Sequence, residues 1–161
     1  MTQAPRITTM LWFDSEAEEA ARYYVSIFPN SSVGRTARYS KVGHEHHGRP
    51  DGSVMTVAFT LDGRNFVALN GGPQFTFNES ISLVVNCATQ AEIDHYWEKL
   101  GAGGDPKAQM CGWLKDRFGV SWQVVPAGMD EIMGGDPARA GRAMTALMKM
   151  KKPDIAALRN A

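Results

Sequence analysis

A strand followed by a helix occurs twice in this chain at a fixed offset, and a hairpin of the same type follows each copy. This repeat restricts the fold more than any other feature. Tyr23-Tyr24 and Tyr96-Trp97 occupy matching positions on two predicted helices, since the residue numbers 23 and 96 differ by 73. The same offset aligns Leu11-Trp12 with Val84-Val85, in the apolar run that precedes each helix. A supersecondary unit repeated at this spacing predicts two similar modules.

The order of elements within each module is predicted to be βαβββ, which gives an α+β fold. Ser15 and Glu18 have the spacing of a capping box at the start of the first helix, and Asp62-Gly63 predicts a hairpin turn. Thr89 predicts the cap of the second helix. The glycine-rich segment 101–109 is weakly β-forming, so the second strand of the second module is not visible in the sequence.

The predicted organisation is a single domain over residues 1–161. The first module covers about residues 5–73, the second about 79–126, and a helical tail covers about 127–161. Asp136-Pro137 has the cap and first-turn residues of a helix start in that tail. Met144, Leu147 and Met148 form its apolar stripe, which we expect to pack on the body or on a second subunit.

Composition excludes several classes of partner. Lys plus Arg and Asp plus Glu number 17 each, so the chain lacks the charge excess that draws proteins to nucleic acid or anionic lipid. There is no apolar run near the ~20 residues needed to span a bilayer, and the first ten residues lack a signal-peptide core. With only two cysteines, Cys87 and Cys111, we expect free thiols and a cytoplasmic location.

Four long strings resemble the PhnB-like branch of the vicinal-oxygen-chelate superfamily, whose members are often named 3-demethylubiquinone-9 3-methyltransferase. The strings are WFDSEAEEAARYYVSIFPNS, VMTVAFTLDG, ALNGGP and CGWLKDRFGVSWQVVP. The superfamily includes glyoxalase I, the bleomycin-resistance proteins and the extradiol dioxygenases. The resemblance implies paired βαβββ modules that form a curved mixed sheet around a cavity, in a glyoxalase-like homodimer.

The methyltransferase name is not expected to describe the chemistry of this chain. A typical enzyme that uses S-adenosylmethionine has a doubly wound parallel sheet and a glycine-rich turn after a strand. Here the first strand runs into Asp14-Ser15-Glu16, and Gly71-Gly72 precedes Pro73 and no helix.

Metal-dependent members of the superfamily use His and Glu side chains from four inward strand positions. At the corresponding places this sequence offers Gln123, residues 68–70 ending in Asn70, Thr8 or Thr9, and Ser80 or Ser82. Since none is His, Asp or Glu, we predict no metal there and no cofactor. His44, His46 and His47, with Glu45, keep a metal site open as an alternative, although a mobile polar loop or a lid is the simpler interpretation.

The resulting hypothesis is a small-molecule-binding protein or metal-independent enzyme with an uncharged or zwitterionic organic ligand. The predicted cavity residues are Thr9, Met55, Asn70, Ser82, Trp113 and Gln123. The polar members could instead satisfy one another inside the protein. Two other functions stay open: sequestration of an antibiotic or toxic metabolite without turnover, and a metal-dependent lyase or dioxygenase. No general base stands out, so no catalytic residue is predicted.

Four further residues near the last hairpin receive structural interpretations. Trp122 is predicted to lie in the core with Val120 and Val124. Asp116 with Arg117 is predicted to be a solvated surface pair, and Cys111 a small core residue.

Overall fold

A computed structural model describes residues 5–161 of the chain. This part of the chain forms seven strands: β1 (Thr9–Phe13), β2 (Ser32–Arg38), β3 (Val54–Leu61), β4 (Arg64–Asn70), β5 (Leu83–Cys87), β6 (Trp113–Lys115) and β7 (Ser121–Pro126). The α-helices are α1 (Ala17–Ile27), α2 (His44–His47), α3 (Gln90–Gly101), α4 (Met129–Met133), α5 (Pro137–Leu147) and α6 (Ile155–Arg159). The chain divides into two compact units, one ending at Thr76 and the other beginning at Phe77.

The first unit contains a mixed four-stranded sheet in the order β1-β4-β3-β2. β1 runs parallel to β4, and the other neighbours are antiparallel. The predicted hairpin turn is confirmed, since Asp62 and Gly63 both have positive φ, at 44° and 76°. The apolar side of α1 packs on this sheet, with the ring of Tyr24 stacked 6.3 Å from that of Phe59.

The start of α1 differs from the capping box predicted for Ser15 and Glu18. The helix begins at Ala17, and no side chain from its own N-cap position caps it. Instead the buried side chain of Asn70, at the end of β4, accepts a hydrogen bond from the Ala17 amide at 2.8 Å. Its Nδ2 donates to the Val54 carbonyl at 3.1 Å. Asn70 therefore joins the helix start to two strands.

The second unit contains a mixed three-stranded sheet in the order β5-β7-β6. Its first and last strands in the chain, β5 and β7, are parallel, as in the first unit, and β6 is antiparallel to β7. The Thr89 cap is confirmed, because its hydroxyl accepts from the Glu92 amide at 3.2 Å. In place of a second strand, residues Pro106–Ala108 form a 3₁₀ helix. β6 has only three residues, and Met110 before it forms only an isolated bridge with Trp113.

The tail folds into α4, α5 and α6 around a small core of its own. The predicted start of α5 is confirmed, since the Asp136 carboxylate accepts from the Arg139 amide at 3.0 Å. Within the predicted apolar stripe, Leu147 is buried, whereas Met144 and Met148 are 47% and 68% exposed. None of the helices in residues 5–161 has the length and apolarity that a bilayer crossing requires.

The hydrogen bonds of Asn70 predict that removing its side-chain amide will destabilise the folded protein. We expect Asn70→Ala to lower the free energy of unfolding by about 1–3 kcal/mol, because the Ala17 amide and the Val54 carbonyl each lose a buried partner. Asn65→Ala, the same change at an exposed position of β4, should cost below about 0.5 kcal/mol. Urea titration followed by circular dichroism measures both values, and equal costs would contradict the assigned role.

Candidate functional site

Each sheet has one face that a helix covers and one face that it leaves open. In the first unit, Val57, Phe59 and Ala68 are buried on the side of α1. Their strand neighbours with the opposite side-chain direction, such as Thr56, Ala58 and Leu69, are only partly buried. We call the side opposite α1 the open face of the first unit.

The three predicted cavity residues of the first unit lie on the α1 side. Asn70 is 8% exposed, and both its Oδ1 and its Nδ2 are hydrogen-bonded, to Ala17 and Val54. Thr9 alternates with the buried Leu11 and Phe13, and Met55 alternates with Val57 in the same way. The open face carries Trp12 instead, whose indole Nε1 donates to the Gly72 carbonyl at 2.9 Å.

The three predicted cavity residues of the second unit share one face, opposite the side that α3 covers. Trp122 and Val124 are buried on the α3 side, so Gln123 points the other way. Its Nε2 donates to the Ser82 hydroxyl at 2.9 Å. Trp113 pairs with Gln123 across the β6–β7 ladder, which places the indole beside this amide.

The Oε1 of Gln123 forms no hydrogen bond with any part of the chain that the structure describes. Gln123 is partly exposed, so this acceptor lies within reach of solvent or a ligand. The Ser82 hydroxyl already accepts the Gln123 amide, and its proton is free to donate elsewhere. The pair therefore offers a bound molecule one acceptor and one donor without any charge.

A cavity of about 350 Å³ lies at the outer edge of β6 in the second unit. Its wall is mainly apolar and includes Trp113, so we call it the Trp113 cavity. The other lining residues are Glu79, Ala108, Met110, Cys111, Leu114, Lys115 and Ser121. Of the six residues that sequence analysis proposed, only Trp113 lies in this wall.

Two oppositely charged side chains in the wall form an ion pair, with Lys115 Nζ 2.5 Å from Glu79 Oε1. The hydrogen bond that Lys115 donates, together with one from the Glu79 backbone, lowers the pKa of the Glu79 carboxyl. The Ser121 hydroxyl donates to the Asn78 carbonyl at 3.4 Å, so residues 78 and 79 are both attached to this sheet. Sequence patterns gave no signal for the pair, because its members lie 36 positions apart, from 79 to 115.

Cys111 is partly exposed in the cavity wall and also packs against the small core of the tail, so its predicted core role is met only in part. Its backbone has a φ of 52°, a conformation that few residues other than glycine adopt. Its amide donates to the Met150 carbonyl at 2.9 Å, so the tail holds this strained turn in place. Cys87, by contrast, is buried, and burial raises the pKa of its thiol to about 12.

The prediction of a solvated Asp116 is wrong, since this carboxylate is only 2% exposed. Its Oδ1 accepts from the Phe118 and Val120 amides at 2.8 and 3.0 Å. Its Oδ2 accepts from Trp122 Nε1 at 2.8 Å. The predicted core position of Trp122 is confirmed. Asp116 accepts hydrogen bonds from the buried indole and from the amides of the β6–β7 turn.

The histidine-rich segment forms α2, a single helical turn between two glycines in the left-handed conformation, rather than an irregular loop. His44 and His46 are exposed. Both ring nitrogens of His47 have partners, the Arg49 amide at 2.9 Å and the Val42 carbonyl at 3.3 Å. Within residues 5–161, no three His, Cys, Asp or Glu side chains converge in a way that could hold a metal ion.

The different surroundings of the two cysteines predict different reactivity. At pH 8, iodoacetamide should alkylate Cys111 of the folded protein and leave Cys87 unmodified. Raising the pKa from 9.0 to about 12 lowers the Cys87 thiolate fraction on the order of a thousand-fold, and burial blocks access as well. Peptide mass spectrometry locates the adduct, and a sample unfolded in urea should show both sites modified. Early modification of Cys87 in the folded protein would contradict this assignment.

Comparison with known proteins agrees with this architecture. The family model described as 3-demethylubiquinone-9 3-methyltransferase matches residues 5–125. A PhnB protein of Bacillus cereus that carries the same methyltransferase name is 35% identical, with a TM-score of 0.64 over 76% of this chain and 100% of that one. No curated protein sequence matches the chain.

Two more distant structures share the fold. A protein of Pseudomonas aeruginosa is 19% identical, with a TM-score of 0.55 over 75% of this chain and 96% of its own. The fosfomycin resistance protein FosX of Listeria monocytogenes is 14% identical, with a TM-score of 0.50 over 84% of this chain and 100% of its own. The chain therefore belongs to the 3-demethylubiquinone-9 3-methyltransferase family, which includes the PhnB protein of Bacillus cereus.

Proposed function

We propose that this protein binds a small organic molecule in the Trp113 cavity and on the adjoining Gln123–Ser82 pair, without a resident metal ion. The observation that carries the proposal is the combination of an apolar cavity with an uncharged hydrogen-bonding pair beside its aromatic wall. A volume of about 350 Å³ falls within the usual range for small-ligand pockets, roughly 300–1,000 Å³. Aromatic and apolar walls supply affinity in such pockets, and a few polar groups fix orientation.

Gln123 and Ser82 are suited to a ligand with a neutral polar group. The free Oε1 accepts a hydrogen bond, while Nε2 is already oriented by the Ser82 hydroxyl. A carboxamide held in this way loses little conformational entropy when the ligand arrives, because its rotamer is already set. Neutral groups are also weak metal donors in comparison with carboxylate or imidazole, which supports metal-independent binding.

Methyl transfer from S-adenosylmethionine has little support, although the family carries that name. The usual cofactor site lies at the carboxyl edge of a doubly wound parallel sheet, after a glycine-rich turn. The sheets here are mixed, and β1 leads into α1 through Asp14-Ser15-Glu16. We therefore take the name as a family label and not as the activity of this chain.

The cavity favours binding without turnover over catalysis. Its titratable wall residues are Glu79, Cys111 and Lys115, and the two charged ones neutralise each other. A general acid or base must be free to exchange a proton with the ligand. Sequestration of a small molecule is accordingly our first functional proposal, and a metal-independent enzyme is the second.

Removing the aromatic wall or the amide should weaken ligand binding. A small-molecule library is screened by thermal shift, and the dissociation constants of the hits are then measured by calorimetry. We expect Trp113→Ala and Gln123→Leu each to weaken a hit about tenfold or more, because about 1–3 kcal/mol of packing or hydrogen bonding is lost. Trp97→Ala on α3 and Gln74→Leu on an exposed segment make the same chemical changes outside the cavity and should change binding less than about twofold. Full binding by both cavity variants would refute the site.

Metal analysis tests the metal-independent part of the proposal by itself. Protein purified without a polyhistidine tag should contain well below one first-row transition metal per chain by inductively coupled plasma mass spectrometry. A matched sample of His44→Ala/His46→Ala/His47→Ala protein should give the same value. One bound metal per chain that the triple variant loses would transfer the site to α2 and overturn the proposal.

A further inference from the structure

We infer that the ligand of the Trp113 cavity is an apolar, planar molecule with one anionic group, which displaces Glu79 from Lys115. This inference rests on the proposed function, because it concerns the same cavity. It names the ligand class more closely than the Gln123–Ser82 pair does. It also departs from the uncharged or zwitterionic ligand that the sequence suggested, since the ligand now carries a net negative charge.

The first support is the position of Lys115 relative to the aromatic wall. Trp113 and Lys115 are two residues apart on β6, so their side chains leave the strand in the same direction. An indole face and an ammonium group therefore stand side by side along one wall of the cavity. A ligand lying against the indole would bring a terminal anionic group to Lys115 Nζ.

The second support is the unequal exposure of the two charged partners. The Lys115 side chain is 25% exposed, whereas that of Glu79 is 61% exposed. The Lys115 side chain is thus the more covered of the two, and a partly covered charge gains more from a counter-ion than an exposed one does. The carboxylate of Glu79 can return to water with little loss, because an exposed ion pair contributes little net energy. An anionic ligand can thus replace Glu79 and leave the partly covered Lys115 with a counter-ion.

The same exposure argues against a cationic ligand that would pair with Glu79. Such a ligand would take the carboxylate away from Lys115 and leave that ammonium without its counter-ion in a partly covered position. In the described wall, Glu79 is the one carboxylate, and Lys115 is the one cation. Replacement of Glu79 by an anionic ligand at Lys115 is therefore the change that keeps the Lys115 ammonium paired.

Two fluorescent probes of nearly equal shape test the inference. Anilinonaphthalene sulfonate and N-phenylnaphthylamine share an aromatic body, and only the first carries a charge, a sulfonate. We expect the unchanged protein to bind both in the cavity. Lys115→Met keeps most of the side-chain length, so it should weaken sulfonate binding about five- to tenfold and alter binding of the neutral probe less than about twofold.

A second variant tests the displacement of Glu79. Glu79→Gln should strengthen sulfonate binding about threefold or more, because the probe no longer competes with a carboxylate for Lys115. Lys152→Met and Asp94→Asn are the matched controls, since Lys152 and Asp94 form an ion pair of the same 2.5 Å length outside the cavity. These two changes should leave the binding of both probes unchanged.

The location of the probes is read from the one accessible thiol in the cavity. Bound probe should slow iodoacetamide alkylation of Cys111, which lines the wall. The protection should disappear in Trp113→Ala. Since Cys87 is buried, it does not contribute to the measurement.

The outcomes separate this inference from the function on which it rests. If both probes protect Cys111 and Lys115→Met leaves sulfonate binding unchanged, the anionic class is wrong and the binding cavity stands. Weaker sulfonate binding by the Glu79→Gln variant would also contradict the inference that the ligand displaces Glu79 from Lys115. If neither probe protects Cys111, the cavity does not bind such molecules, and the proposed function fails together with the inference.

Discussion

Parallel pairing of the first and last strands in each unit is the constraint on which the rest of the structure depends. β1 pairs with β4, and β5 pairs with β7, in parallel. Parallel strands cannot be joined by a tight hairpin, so the chain must cross over between them, and here a helix follows each first strand. That helix covers one face of its sheet, and the other face stays open. A side chain that keeps an unpaired polar atom, such as Gln123, can occupy only the open face without a large desolvation cost.

Local signals predicted most of the elements correctly, and long-range contacts account for the failures. Thr89 and Asp136 cap helices whose first-turn amides lie three residues away, so both caps were visible in the sequence. The start of α1 was not visible in the sequence, because the side chain that caps the Ala17 amide belongs to the distant Asn70. The prediction of a solvated Asp116 was wrong for a related reason. The turn amides and the Trp122 indole surround this carboxylate only once β6 and β7 have paired.

Strand alternation also explains which predicted site residues share a face. Alternation separates the side chains of a strand into two sets, but it does not say which set the helix covers. In the second unit the polar set of β7 lies on the open side, and Gln123 meets Ser82 and Trp113 there. In the first unit the polar character of Asn70 led to a wrong prediction of its environment. Asn70 lies on the covered side, where it caps α1. The charged part of the cavity wall, Lys115 with Glu79, depends on a contact between a strand and a segment before β5.

The cavity lies where the internal repeat is broken. In element order, positions 105–111 lie between α3 and β6, where the first unit has β2 between α1 and β3, and β2 covers the edge of β3. In the second unit this stretch contains Asp105-Pro106, a 3₁₀ turn and the positive φ of Cys111, none of which suits a strand. The edge of β6 consequently lacks a full ladder partner, and Ala108, Met110 and Cys111 line a cavity beside it. A missing strand in one copy of the repeat thus gives the second unit a concave apolar surface where the first unit has a fourth strand.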